Sequence, residues 1–395
     1  MVILVFMRRD ILYLILLPFG LTINYFPVLT FLNVTTLISI FFAIITKKRI
    51  FIILTLCLLL TQVLTFAAVK GGSVRQEFAH DPEKSYTTDM RAFLKTYYLM
   101  KSGDNFYDAF PKGMSGWLGV NFHTDLAGWR EPFLFYLWSF LPGNGESIYY
   151  LGLLIIMTAI FSGYAIAKKF LSDAKSLMIP FLLLPYFYLP LSEISLLQVE
   201  WWGLIFLIIG LAFYVHKHPW VAGIFFILSL ASREIFLIPI LSIIAVNFFI
   251  RKTWNIRPLI ICLTAFCVYF FLYHIPKISL HQTSLLRSTN SGDWHILNTT
   301  FAYSSWNYLL GSFRPFIILF ITTTSFLIFQ IIRKKWHPTL FLMSLYLPIF
   351  GFALIVSLNG GLTPWHDYWG IYFVPLLIIV SPIALDTFSD TFSQV

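Results

Sequence analysis

The sequence predicts an all-α polytopic membrane protein, with about twelve transmembrane helices and a large outer loop bearing flat juxtamembrane helices. Three observations predict it. Of 395 residues, 58% are hydrophobic and only 11% charged, whereas a soluble globule carries about a quarter charged residues. Apolar runs close to the roughly twenty residues that a spanning helix needs recur along nearly the whole chain. Nine of the eighteen acidic residues lie between positions 70 and 146. Carboxylates are costly to bury in lipid, so that stretch belongs in water or at the interface.

The runs fall at 11–26, 27–45, 50–69, 148–167, 177–191, 201–215, 220–231, 235–250, 258–275, 316–332, 338–358 and 369–385. Two of them, 201–215 and 220–231, are short enough to be half-buried or re-entrant. Orientation follows from Lys and Arg. With a cytoplasmic N-terminus, the inner segments hold 15 basic and four acidic residues, and the outer ones 12 basic and 14 acidic. Both termini of this single membrane domain, 1–395, are therefore expected in the cytoplasm of a multi-pass cell-membrane protein. The loops at 70–147 and 276–312 are expected outside. The net charge of +9 reflects insertion. Nucleic acid is not an expected partner, because the basic residues do not gather on an aqueous patch.

Cys57, Cys262 and Cys267 lie inside apolar runs and read as small core residues. Arg8 and Arg9 lead into further membrane segment without a small-residue cleavage pattern, so no cleavable signal peptide is expected. Within the large loop, Met90, Phe93, Leu94, Tyr97 and Tyr98 recur at helical spacing over 89–100, with Arg91 and Lys95 facing away. Gly103 stops that helix. It is too short to span, and its tyrosine pair suits the headgroup layer. A second short apolar run at 132–141 reads as another flat helix, and the Gly-rich stretch 112–119 as a flexible connection. The two halves show no repeat, which counts against a transporter.

Phosphate-cradling loops, dinucleotide fingerprints, zinc-protease motifs and nucleophile elbows are all missing from the sequence. No inner segment is large enough to bind a nucleotide. Chemistry is therefore expected on the outer side, on a substrate delivered there, and a lipid-linked substrate fits that geometry. Asp89 opens the first flat helix. It suits either the helix N-terminus, electrostatically, or the role of a carboxylate base taking a proton from a sugar hydroxyl.

Other charged residues border the apolar runs. Arg130 and Glu131 precede the second flat helix, where Glu131 also reads as a first-turn acid. Arg233 and Glu234 sit between two apolar runs; they pair with each other, or Arg233 holds a phosphate through its planar fork. Trp365-His366-Asp367-Tyr368 opens the last run: the tryptophan suits an aromatic belt, while His366 can donate to a leaving phosphate with Asp367 orienting it. Glu193, Gln198 and Glu200 complete the outer rim. The loop histidines lack metal-ligand spacing, so no cofactor is expected and the sequence does not support a divalent cation.

The segments Thr88-Asp89, 91–98 and Lys101-Ser102-Gly103-Asp104-Asn105-Phe106-Tyr107-Asp108 carry a resemblance. So do Arg130-Glu131-Pro132-Phe133, Gln198-Val199-Glu200-Trp201 and Ala231-Ser232-Arg233-Glu234. Together with the hydropathy pattern over about 50–385, they resemble the GT-C superfamily of integral-membrane glycosyltransferases, in its polyprenyl-phosphate-sugar-dependent, mannosyltransferase-like branch. The resemblance implies an inverting displacement with Asp89 as catalytic base. The donor it implies is a polyprenyl-phosphate sugar, and the acceptor an extracytoplasmic glycan, lipid or protein. Arg91, Arg130, Glu131, Arg233, Glu234, His366 and Asp367 would bind substrate amid membrane lipids. The chain departs from the family at Met90, where many members place a second acid, and in two extra helices before the loop. A multi-pass transporter or lipid flippase is the alternative.

Overall fold

In the computed structural model, the described residues are 27–82, 88–118, 128–250, 256–281 and 374–392, with short stretches at 294–296, 323–325, 328, 344–345, 356–358 and 371–372. Helices α1 (Pro27–Thr46) and α2 (Arg49–Phe78) form an antiparallel hairpin. Its turn holds Lys47 in the left-handed region, at φ 56°. The seam is polar: Asn33 donates to Gln62 (3.3 Å), Gln62 to Thr36 (2.7 Å) and Thr55 to Ser39 (2.8 Å). The outward faces expose Phe31, Ile38, Ile45, Ile53 and Leu64. Apolar side chains outside and hydrogen bonds between helices are what lipid favours, since hydrocarbon offers no hydrophobic drive for association.

At 30 residues, α2 is longer than a bilayer requires: about 45 Å against a hydrocarbon layer of about 30 Å. The loop expected from position 70 is thus helical as far as Phe78, and the excess turns form a post for a cap. Cap helices α3 (Asp89–Lys101), α4 (Phe106–Leu118) and α5 (Phe133–Phe140) follow. Thr88 caps α3 by accepting from the Arg91 amide. Tyr98 donates to the Phe78 carbonyl at 2.8 Å, and Lys95 pairs with Asp81 at 2.7 Å, fixing α3 to the post.

Two expectations for the cap are corrected. The stretch 112–118 is helix and not a flexible connection, because Phe106, Tyr107, Phe110 and Met114 turn one apolar stripe inward. Gly113 lets α4 lie directly against Ala92 and Thr96 of α3. Tyr97 is fully buried in protein and not in the headgroup layer, since α5 and the bundle cover that side of α3. Lys101 closes α5, donating to the carbonyls of Ser139 (3.1 Å) and Leu141 (2.5 Å).

The remaining bundle is α6 (Glu146–Lys168), α7 (Met178–Ser192), α8 (Val199–Val215), α9 (Pro219–Ser232), α10 (Leu237–Ile250), α11 (Arg257–Tyr269) and α12 (Val374–Phe392). A π-helical turn, Phe270–His274, and Ile275–Ser279 prolong α11. Apolar all round and buried, α7 and α8 are central helices. The short run at 201–215 is accordingly core. Gly203 of α8 accepts from Ser229 of α9 at 2.7 Å, so the two backbones nearly touch. At the end of the bundle away from the cap, Lys175 meets Asp386 of α12 at 3.2 Å. Lys47, Lys169 and Lys217 lie at that same end, as the charge bias requires.

Among the described residues, five helices are long and apolar enough to cross a membrane, and four shorter apolar ones accompany them. The chain is a helical membrane protein. One short ribbon accompanies the helices: Trp294–Ile296 pairs antiparallel with Val356–Leu358, so the end of the expected run 338–358 is extended and not helical. Val356-Ser357-Leu358 alternates and precedes Asn359-Gly360-Gly361, a sequence that suits a ribbon and turn better than a helix end. Cys57 is exposed on the lipid face of α2 and not in the core, because hydrocarbon accommodates a thiol as readily as packed protein does. The runs at 11–26 and nearly all of 316–332 lie outside the described residues.

Candidate functional site: a buried charge cluster under the cap

Arg130, Glu131, Arg233 and Glu234, each singled out from the sequence, meet where the cap covers the bundle. Arg233 leaves α9 in extended conformation (φ −158°), which ends the helix and frees its side chain. Its Nε lies 3.2 Å from Glu200 Oε1, and its Nη1 2.6 Å from Glu234 Oε1. Glu200 stands in the first turn of α8 and is 2% exposed. Arg130 donates to the Gly128 and Trp129 carbonyls, both at 3.2 Å, with its guanidinium 5.8 Å from the centre of the Phe93 ring. This aromatic face suits a weakly hydrated guanidinium.

Glu131 is also 2% exposed. Its Oε1 lies 3.7 Å from His274 Nε2. His274 Nδ1 is 3.0 Å from the Tyr107 hydroxyl. Tyr269 stacks on the His274 ring, with centroids 6.1 Å apart, beside Tyr107 and Glu131. Tyr269 and His274 are five residues apart, the spacing that a π turn brings onto one face. Burial, reinforced by the negative charge of Glu234, pushes the Glu131 carboxyl up to about 9; Arg233 opposes this only in part. Glu131 therefore carries a proton at neutral pH. Burial also raises the Tyr107 phenol. Two guanidiniums facing two carboxylates, with a third carboxyl neutral, leave the cluster balanced in charge.

The other expected residues lie apart. Asp89 occupies the first turn of α3, half-buried. It is one helical turn before Phe93, on the face whose ring carries Arg130. Arg91 is exposed and pairs with Glu77 at the end of α2 (3.0 Å). His366 and Asp367 lie outside the described residues. Tyr107, Tyr269 and His274 were not singled out for chemistry from the sequence. Their one signal was a histidine at the end of the run 258–275, five residues after a tyrosine. Glu200, expected at the rim, sits at the centre. Among the described residues, no group of His, Cys, Asp or Glu is arranged to hold a metal ion.

Chemically, the cluster offers two cationic forks for an anion and one neutral acid able to donate a hydrogen bond. No protein-family model, no curated protein and no solved structure matches the chain.

Proposed function

We propose that the chain is a GT-C-type glycosyltransferase of the cell membrane, with about twelve spans, both termini cytoplasmic and the cap outside. It moves a sugar from a polyprenyl-phosphate donor to an extracytoplasmic acceptor hydroxyl on a glycan, lipid or protein. One observation carries this reading: two guanidiniums, Arg130 and Arg233, lie buried beside three carboxyls at the capped end of a membrane bundle. Desolvated charge in a membrane protein marks a functional site, and paired forks suit a phosphate.

The reaction is a direct inverting displacement. Asp89 takes the acceptor proton as the acceptor oxygen bonds to the anomeric carbon. The bond from that carbon to the phosphate oxygen breaks, and the lipid phosphate leaves with the electron pair. Arg233 and Arg130 offset its charge, with Arg91 or His366 assisting and Glu131, Glu234 and Asp367 orienting the donor. No cofactor takes part.

The test is reconstitution in liposomes with polyprenyl-phosphate sugars and candidate acceptors, followed by product analysis. Asp89→Asn that inserts and folds should lose about 100-fold or more in turnover, and turnover of the unaltered chain should continue in a chelator. Retained turnover in Asp89→Asn removes Asp89 as base. Lipid or solute translocation without any sugar donor, and no glycan product with one, replaces the transferase reading with a flippase or transporter.

A further inference from the structure

We infer that the Arg130–Arg233 cluster is a phosphate-monoester site in which Glu131 serves as a proton-carrying donor to the phosphate. The lipid identity of that monoester rests on the glycosyl-transfer reading; the donor role of Glu131 does not.

Three features support the assignment. One oxygen of Glu131, Oε1, lies 3.7 Å from His274 Nε2, and His274 Nδ1 lies 3.0 Å from the Tyr107 hydroxyl. The second oxygen, Oε2, is buried and takes no hydrogen bond among the described residues. A carboxyl proton held on Oε2 has no acceptor among the described residues, and a bound phosphate would supply one. An orphaned buried polar atom is unfavourable until a partner supplies the missing bond.

Charge gives the second feature. The groups facing Glu131 are its neighbour Arg130, then Arg233 and Glu234 from the α9–α10 turn, His274 and Tyr269 from α11, and Tyr107 from α4. Glu200 and Glu234 already put two carboxylates against Arg233. A third ionised carboxylate would repel a phosphate. The neutral acid, pushed up to about 9 by burial, donates instead.

The third feature is construction from separate elements. Tyr107 and His274 are 167 positions apart, and their convergence places the imidazole beside the carboxyl. As the sugar departs, negative charge grows on the phosphate oxygen and the hydrogen bond from Glu131 strengthens. No proton is transferred.

The experiment titrates the full-length protein in nanodiscs with farnesyl phosphate, and separately with inorganic phosphate, from pH 6 to 10. Glutamine at 131 keeps a neutral donor, so the affinity of Glu131→Gln should not change between pH 7 and 10. Above about pH 9 the unaltered chain should lose affinity toward about tenfold per pH unit, while the Gln variant holds. Glu131→Leu, which has no donor, should bind about tenfold or more weakly throughout. Cooperative thermal unfolding of the Gln variant at pH 5, no lower than that of the unaltered chain, verifies folding.

Tighter farnesyl phosphate binding by Glu131→Gln at pH 7 would mark Glu131 as ionised and overturn the proposal. So would the absence of binding to the folded, unaltered chain. If inorganic phosphate binds as tightly, with the same break near pH 9, the donor role of Glu131 stands and the lipid donor of the glycosyl-transfer reading falls.

Discussion

Glu131 lies in a hydrophilic loop by sequence, yet it is among the most buried charged side chains described. This has a consequence for stability. The folded carboxyl keeps its proton up to about pH 9, whereas an unfolded glutamate releases it near about pH 4.3. Between those values the folded state binds more protons, so stability is full at low pH and falls as pH rises through the window. Glu131→Gln does not titrate. Its thermal unfolding in detergent should equal that of the unaltered chain only below about pH 4 and pull ahead from there toward pH 9, at about 1.4 kcal/mol per pH unit where the slope is steepest. A gap independent of pH would mean that the carboxyl is solvated. Arg233 makes a second prediction. Arg233→Met strands the buried Glu200 carboxylate and should destabilise by about 3–5 kcal/mol, with most of the loss recovered in Arg233→Met/Glu200→Gln. Unfolding curves of the two variants decide it.

Helix contacts depend on where small residues fall. Gly71 and Gly72 are adjacent in α2, but only Gly71 faces α6, where a Cβ would collide with the Tyr149 ring and hydroxyl. Around Gly72 the space is open. Gly71→Ala should therefore destabilise by about 1–3 kcal/mol through overpacking. Gly72→Ala should be neutral, or stabilising by up to about 1 kcal/mol through helix propensity. Thermal unfolding of both variants in one detergent is the measurement, and equal effects would remove the α2–α6 contact as cause. Gly113 plays the same part between α3 and α4. This is why a glycine-rich stretch that reads as a connection is a packed helix: at a helix crossing, the missing Cβ admits a neighbouring backbone.

The bundle separates its charges between two ends. Lys47, Lys48, Lys168, Lys169, Lys175 and Lys217 lie at the end away from the cap, and the acid-rich cap closes the other. Positive segments stay cytoplasmic, so single cysteines at Lys217 and Asp104 should label from opposite sides: Lys217→Cys from the cytoplasm, Asp104→Cys from outside. A membrane-impermeant thiol reagent on intact cells reads this out, in a background lacking Cys57, Cys262 and Cys267. Labelling of Asp104→Cys only after lysis would invert the molecule and put the charge cluster in the cytoplasm, where no external acceptor reaches it.

The apolar runs, the basic bias between them and the amphipathic stripe at 89–100 all follow from hydrophobicity and charge over windows of one or two dozen residues. The apolar helices and the amphipathic helix after Thr88 were therefore legible from residue order. Arg130, Glu131, Arg233 and Glu234 were also legible as candidates, because charges bordering apolar runs stand out locally. Their convergence was not, nor was the central place of Glu200 or the recruitment of Tyr107, Tyr269 and His274. Those depend on α4, α8, α9 and α11 folding back onto one another across as many as 167 positions. Desolvation is a property of that assembled neighbourhood, and it turns an unremarkable loop glutamate into a neutral acid.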